Sequence, residues 1–287
     1  MEQFYEIEKN DSFELVHIFE CGQCFRWNRE IDGSYTGVFK NNVLNVKEEN
    51  GKIKFQGICN GNIENVVKDY FDFDTNYTKI KETLSKVDKY LEESINFGSG
   101  IRILNQDLWE VLISFIISAN NNIPRIKGII EKISKQYGNK ITYKGKDYYT
   151  FPTAKELSKA SIEDLRKLGL GFRDKRVYET TQKIAKDEIN LNKIAQIKDT
   201  DKIREILETL PGVGPKVADC ILLFGLKRFE VFPIDVWVRR IMNDLYIKNE
   251  DETKVNKKEI EKLAKTKYAN LAGIAQQYLF YWKRETA

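Results

Sequence analysis

Leu210-Pro211-Gly212-Val213-Gly214-Pro215-Lys216, followed 19 residues after its lysine by Asp235 in Pro233-Ile234-Asp235, is the stretch that decides the reading of this chain. Ile203, Ile206, Leu207 and Leu210 stripe one face of the helix that leads into it. Gly212 and Gly214 can take positive φ and let another backbone come close. Pro215 suits the first position of a following helix, where its missing N–H costs nothing. The spacing predicts two helices joined by a tight turn, with the free N–H groups of the second helix facing outward, ready for a phosphate oxygen. Gly212 and Gly214 are thus candidate phosphate contacts, although two glycines alone would serve equally well as a plain helix–turn–helix corner.

Lys216 is poorly placed for stability alone. A cation in the first helical turn meets the unfavourable end of the macrodipole, at roughly 0.3–1 kcal/mol. That field, together with burial, is expected to depress the amine from ~10.4 toward neutrality. A neutral amine is what a Schiff-base nucleophile requires. Cys220 stands one turn further on the same face and can touch it. The alternative is a surface lysine meeting phosphate as a point charge. Asp235 is expected to cap a helix beginning near Val236, and a carboxylate fixed there can also stabilise a cationic sugar in front of it. The pair suggests chemistry on a nucleic-acid sugar.

The rest of the composition narrows the chemistry by exclusion. The chain has 287 residues, 41% hydrophobic and 31% charged, an ordinary globular balance. Its 47 Lys+Arg against 43 Asp+Glu make it only mildly basic, so any polyanion-binding surface must come from local clustering. His17 is the single histidine, which argues against a His-based triad or a multi-histidine zinc site. Cys21, Cys24, Cys59 and Cys220 are too scattered for a disulfide scaffold or an iron–sulfur cluster. Acid–base and nucleophilic work must then fall to Lys, Asp, Glu, Cys or Tyr. The N-terminus has no signal pattern, and no apolar run approaches the ~20 residues needed to span a bilayer.

The expected fold class is α+β, with an antiparallel sheet domain over residues 1–100 and a helical region over 101–287. Phe25 to Trp27, Tyr35 to Phe39, Val43 to Val46 and Ile53 to Phe55 read as short strands of a meander, with Asn50-Gly51 as a hairpin turn. Asn62 to Phe71 and Tyr77 to Asn96 read as helices. From Asp107 onward nearly everything reads as helical. Leu108 to Ala119 form one buried helix, ended by Asn120-Asn121-Asn122, and Pro124 opens the next through Tyr137. Ala160 to Leu168 lead into a Gly169-Leu170-Gly171 junction, and Phe229 to Phe232 read as β-like.

Five further blocks occur in order: Gly22-Gln23-Cys24-Phe25-Arg26-Trp27, Ser118-Ala119-Asn120-Asn121-Asn122-Ile123-Pro124-Arg125, Leu168-Gly169-Leu170-Gly171-Phe172-Arg173, Lys216-Val217-Ala218-Asp219-Cys220 and Ala275-Gln276-Gln277-Tyr278-Leu279-Phe280. With the Gly-Val-Gly turn and Asp235 they resemble the helix–hairpin–helix DNA glycosylase superfamily. Within it they resemble the 8-oxoguanine DNA glycosylase/AP lyase of the eukaryotic type, over essentially the whole chain.

The resemblance implies a role for each matched residue. Lys216 would attack C1′ of the damaged nucleotide and Asp235 would stabilise the transition state. Gly22 would offer its carbonyl to the N7–H found only on oxidised guanine. Cys220 and Phe280 would sandwich the flipped base while Gln276 reads its Watson–Crick edge. Asn120 would fill the vacated space, Arg125 and Arg173 would read the opposite cytosine, and Phe172 would wedge the duplex. Blander readings stand beside these: Phe280 as core packing, Asn120 as a helix terminator, Arg173 as one charge on a solvated face. Trp237 stands where related enzymes place a histidine near the 5′ phosphate, Phe172 replaces a tyrosine, and Cys24 replaces a serine and creates Cys21-x-x-Cys24.

The resulting expectation is excision of 8-oxoguanine from duplex DNA by base flipping, followed by β-elimination through a lysine Schiff base, in two helical subdomains with the lesion cleft between them. No cofactor or metal is required; a structural cation at hairpin carbonyls, including those of Leu210 and Val213, is compatible with the resemblance. The expected partner is double-stranded DNA containing oxidised guanine. The expected state is a non-membrane monomer in the cytoplasm, associated with the nucleoid in a bacterium. The competing readings are a lyase for another damaged base, which Gly22 and Gln276 oppose, and a non-catalytic duplex binder, which Lys216 with Asp235 opposes.

Overall fold

The computed structural model describes residues 1–251 and 254–287. It begins with β1 (Glu2–Glu8), α1 (Leu15–Glu20), β2 (Trp27–Arg29), β3 (Tyr35–Phe39), β4 (Asn42–Glu49) and β5 (Lys52–Ile58). Strands β2 to β5 form the expected antiparallel meander, and the spatial order is β1-β5-β4-β3-β2. Asn50 and Gly51 both take positive φ, 54° and 74°, as a two-residue turn matching the strand twist requires. Strand β1 had no place in the sequence reading. It pairs with β5, Glu2 opposite Ile58 and Glu8 opposite Lys52.

Helices α2 (Ile63–Tyr70), α3 (Tyr77–Ser85) and α4 (Lys89–Phe97) follow. The single helix expected over Tyr77 to Asn96 is thus two. Asp88 breaks it by capping α4, accepting from the N–H groups of Tyr90 and Leu91 at 3.0 Å each. Phe13, Trp27, Phe55, Val67 and Phe71 are fully buried between the sheet and α1 and α2.

The helical body comprises α5 (Leu108–Ser118), α6 (Ile123–Tyr137), α7 (Ala154–Leu157), α8 (Ile162–Lys167), α9 (Asp174–Ala185), α10 (Leu191–Gln196), α11 (Thr200–Glu208), α12 (Pro215–Leu226), α13 (Val236–Met242), α14 (Lys257–Tyr268) and α15 (Ala272–Thr286). It also carries a small hairpin, β6 (Lys140–Tyr143) with β7 (Lys146–Tyr149), that the helical expectation missed. Phe229 to Phe232 form no strand: they are connecting chain in which Val231 and Phe232 are buried and Glu230 is exposed, and the Phe229 carbonyl accepts from the Gly273 N–H of α15 at 2.7 Å. Leu84, Leu91 and Ile95 of α3 and α4 share the helical core with α5, α12 and α15, so helices preceding residue 100 belong to the body that carries the hairpin. Cys21 and Phe25 enter the same core from the loop before β2 and join the two halves.

Candidate active site

The hairpin joins α11 to α12 as expected. Gly212 has φ +90°, and a side-chain carbon there would stand 2.9 Å from Ile116 and 3.1 Å from Arg176. Glycine is demanded twice, by conformation and by space. Gly214 instead faces open space and starts α12 without a side-chain cap, leaving the first-turn N–H groups free for an anion. The Thr180 hydroxyl holds the Pro211 carbonyl at 2.9 Å, and the Val213 N–H holds that of Leu210 at 3.0 Å. Arg204 of α11 clamps Asp219 of α12 at 2.9 Å, a cross-hairpin brace absent from the sequence reading.

Lys216 emerges half-buried from the first turn of α12, its Nζ 5.6 Å from the centre of the Phe115 ring. Cys220, one turn on, is buried, and its sulfur acts electrostatically on the amine. The expected depression of Lys216 is not what the site produces. The facing Cys220 sulfur, with help from the Asp235 carboxylate, holds the amine above the usual lysine range against the opposing effect of burial. Burial alone would lower the amine; the electrostatic influence of the sulfur and the carboxylate outweighs it. Burial in turn pushes the Cys220 thiol up to about 11. At neutral pH the free protein therefore presents an ammonium beside a thiol.

Asp235 is the N-cap of α13, accepting from the Val238 N–H at 2.8 Å. That bond fixes the carboxylate next to Lys216, since capping and charge placement use the same side chain. On the other wall, Gly22 sits in the loop between α1 and β2 with φ +89°. A side-chain carbon on it would lie 3.6 Å from the Phe280 ring, so the fold brings Gly22 and Phe280 together. Gln276 is buried on α15, and the Gln277 amide donates to its Oε1 at 2.8 Å, tying down one end of its side chain. Phe280 packs against the helical core but is only half-buried, unlike its neighbours Tyr278 and Leu279, so part of its ring stays accessible.

A second cluster forms where α5, α6 and the turn before α9 meet. Asn120 takes φ +52°, ends α5 and is exposed. Asn122 caps α6 by accepting from the Arg125 N–H at 3.0 Å. The exposed Arg125 donates to the Gly169 carbonyl at 3.2 Å. Arg173 is only 2% exposed, which removes the solvated-face reading. Its guanidinium donates to the carbonyls of Ala119, at 2.6 and 2.8 Å, and Asn120, at 2.6 Å. In the free protein it braces the turn that presents Asn120. Phe172 is 56% exposed with Arg173 4.2 Å from its ring centre, and Trp237 is 46% exposed on α13.

Cys21 and Cys24 are free and buried. Burial pushes both thiols up, Cys21 to about 11, so neither is a reactive thiolate. Among the described residues no three His, Cys, Asp or Glu side chains gather as metal ligands, and no helix is long and apolar enough to cross a membrane. Phe115 under the lysine and Arg284 beside Gly22 were the site neighbours that sequence reasoning missed. The first was hidden in an apolar stripe, and the second carried no local signal.

Comparison with known proteins places this geometry. Residues 5–112 match the 8-oxoguanine DNA glycosylase N-terminal domain, and residues 113–270 match the HhH-GPD superfamily of base-excision DNA repair proteins. The 8-oxoguanine glycosylase/lyase of Clostridium acetobutylicum, solved with double-stranded DNA containing cytosine opposite 8-oxoguanine, is 41% identical with a TM-score of 0.92, covering 100% of this chain and 98% of that one. A protein named MBOgg1, solved with a low-affinity DNA ligand, is 46% identical with a TM-score of 0.91 and 99% coverage of both chains. The N-glycosylase/DNA lyase of Saccharomyces cerevisiae is 34% identical over 88% of this chain and 72% of its own length.

Proposed function

The chain belongs to the HhH-GPD superfamily of base-excision DNA repair proteins, and from that premise we propose that it flips 8-oxoguanine out of duplex DNA, excises it through Lys216 and then cuts the strand. The observation that carries this reading is the convergence of an amine, a carboxylate and a sulfur at the starts of α12 and α13.

The residues account for each step. The free N–H groups after Gly214 hold a backbone phosphate, and Trp237 and Phe172 lie against the duplex. The extruded base enters between Cys220 and Phe280, where the Gly22 carbonyl accepts the N7–H that guanine lacks, while Gln276 meets its Watson–Crick edge. Lys216 gives up one proton and forms a bond from Nζ to C1′ as the C1′–N9 bond breaks. The electron pair leaves with the base, which takes up a proton. Asp235 stabilises the cationic sugar in that transition state, its charge fixed beforehand by the cap. Sugar-ring opening then gives an imine on Lys216. Loss of a C2′ proton expels the 3′ phosphate and cuts the strand. All of this runs on side chains. A cation at the Leu210 and Val213 carbonyls would brace the hairpin rather than join the reaction, and one lone pair of the Leu210 carbonyl is already spent on Val213. One copy of the chain supplies every group named, so the reading needs no more than a monomer.

Incubation with an 8-oxoguanine duplex and borohydride tests it. A covalent protein–DNA adduct, and none with an undamaged duplex, is the expected result. Release of another damaged base in preference to 8-oxoguanine would overturn the substrate assignment, and turnover without a trappable adduct would overturn the lysine mechanism.

A further inference from the structure

Arg284, on the last turns of α15, reaches back across the wall that carries Gly22. Its Nη2 donates to the carbonyl of Glu20, two residues before Gly22. Its Nη1 stands 3.5 Å from where a side-chain carbon on Gly22 would be. The guanidinium carbon lies 5.5 Å from the centre of the Phe280 ring and 5.6 Å from that of Tyr281. Nε and Nη2 engage Glu285 at 2.9 and 2.8 Å. One side chain therefore touches the Gly22 loop and the helix carrying Gln276 and Phe280.

Nη1 is buried and has no hydrogen-bond partner. Leaving a charged donor unpaired away from water is unfavourable, so packing economy alone does not explain this arrangement. A shorter apolar side chain would fill the space without that cost. What the planar guanidinium adds is geometry: a rigid fork that can meet a carbonyl, a backbone and an aromatic face at once.

We propose that Arg284 is a positioning residue for lesion recognition, clamping the Gly22 loop to α15 and so setting the gap between the Gly22 carbonyl and the Phe280 ring. The proposal rests on the reading of the site given above. Gly22 discriminates through one hydrogen bond to N7–H, and such a bond weakens steeply as distance and angle depart from their optimum. A slack loop would still admit a purine but would no longer favour the oxidised one.

The test measures binding to duplexes carrying uncleavable 2′-fluoro-8-oxoguanine or 2′-fluoroguanine, alongside cleavage of a preformed abasic site. Arg284→Met is expected to lower the ratio of the two affinities by roughly tenfold, the scale of one charge-assisted hydrogen bond. Abasic-site cleavage, which involves no base, should stay within about twofold of wild type on the same argument. Arg284→Lys keeps a donor for the Glu20 carbonyl and should lose less of the ratio, which gives a usable variant if methionine does not fold. An unchanged ratio in Arg284→Met would overturn the proposal. So would an equal loss of abasic-site cleavage, because that signals a general structural role. If the wild-type protein itself failed to prefer 8-oxoguanine, the substrate reading would fall first, a result separable from either variant.

Discussion

The corner holding Lys216, Cys220 and Asp235 and the corner holding Asn120, Arg125, Phe172 and Arg173 are built on opposite principles. In the first, the groups act on one another electrostatically: the Cys220 sulfur and the Asp235 carboxylate both shift the Lys216 amine upward, and the carboxylate is locked by the Val238 N–H. In the second, the functional groups bind their own backbone, with Arg173 on Ala119 and Asn120 and Arg125 on Gly169. On the proposed reading, the first corner holds its reacting groups together in the free protein, whereas the second would exchange main-chain carbonyls for a base, so its specificity would be a difference between two sets of hydrogen bonds.

The largest test of that contrast is Lys216→Gln. Trapping and strand cleavage should vanish while duplex affinity changes little, because the contact surface around Phe172 and Trp237 remains. A variant that still forms an adduct would move the nucleophile to another lysine.

Asp235→Asn probes whether the cap and the charge separate. Asparagine caps a helix about as well as aspartate, so melting should barely move while single-turnover excision drops by roughly 10²–10³, the scale of removing one preorganised electrostatic group. A large fall in melting temperature with turnover retained would reduce Asp235 to a structural cap.

The second corner predicts that its two arginines divide. Arg173→Ala leaves the Ala119 and Asn120 carbonyls unsupported and should cost about 2–4 kcal/mol of stability. Arg125→Ala, on an exposed side chain, should cost under about 1 kcal/mol. It should nevertheless lower the preference for cytosine over adenine opposite the lesion by roughly tenfold, within the range of a good base contact. Excision rates on the four opposite bases and two melting curves decide the matter. Equal rates on all four in the wild type would assign both arginines to the backbone.

The smallest expected effect is a shift along the pH axis. Lysine attack needs the neutral amine, so cleavage of a preformed abasic site should rise with pH until Lys216 has deprotonated. The Cys220 sulfur is the largest support for the charged form. Cys220→Ala should therefore move the rising limb to lower pH. A limb that moves upward or stays in place would show that the sulfur does not hold the proton on the lysine.

Much of this was legible in the chain. The Gly212 turn, the Asp235 cap, the end of α5 at Asn120 and the Asn50-Gly51 hairpin are decided by residues within a few positions of one another, through φ preferences and the orphan N–H groups of helix starts. Sequence alone thereby determined the hairpin, the sheet-then-helices sequence of the chain and the place of the amine and carboxylate. Strand β1 was invisible because its partner β5 lies some fifty residues away and its pattern has meaning only once paired. Phe229 to Phe232 looked like a strand because burial of connecting chain against α15 selects the same apolar residues. Only the tertiary structure decided the sign of the Lys216 shift, the partners of Arg173 and the reach of Arg284 to Gly22. A pKa and a long side chain's partners depend on every group that folding brings within a few ångströms, and those groups come from distant parts of the chain.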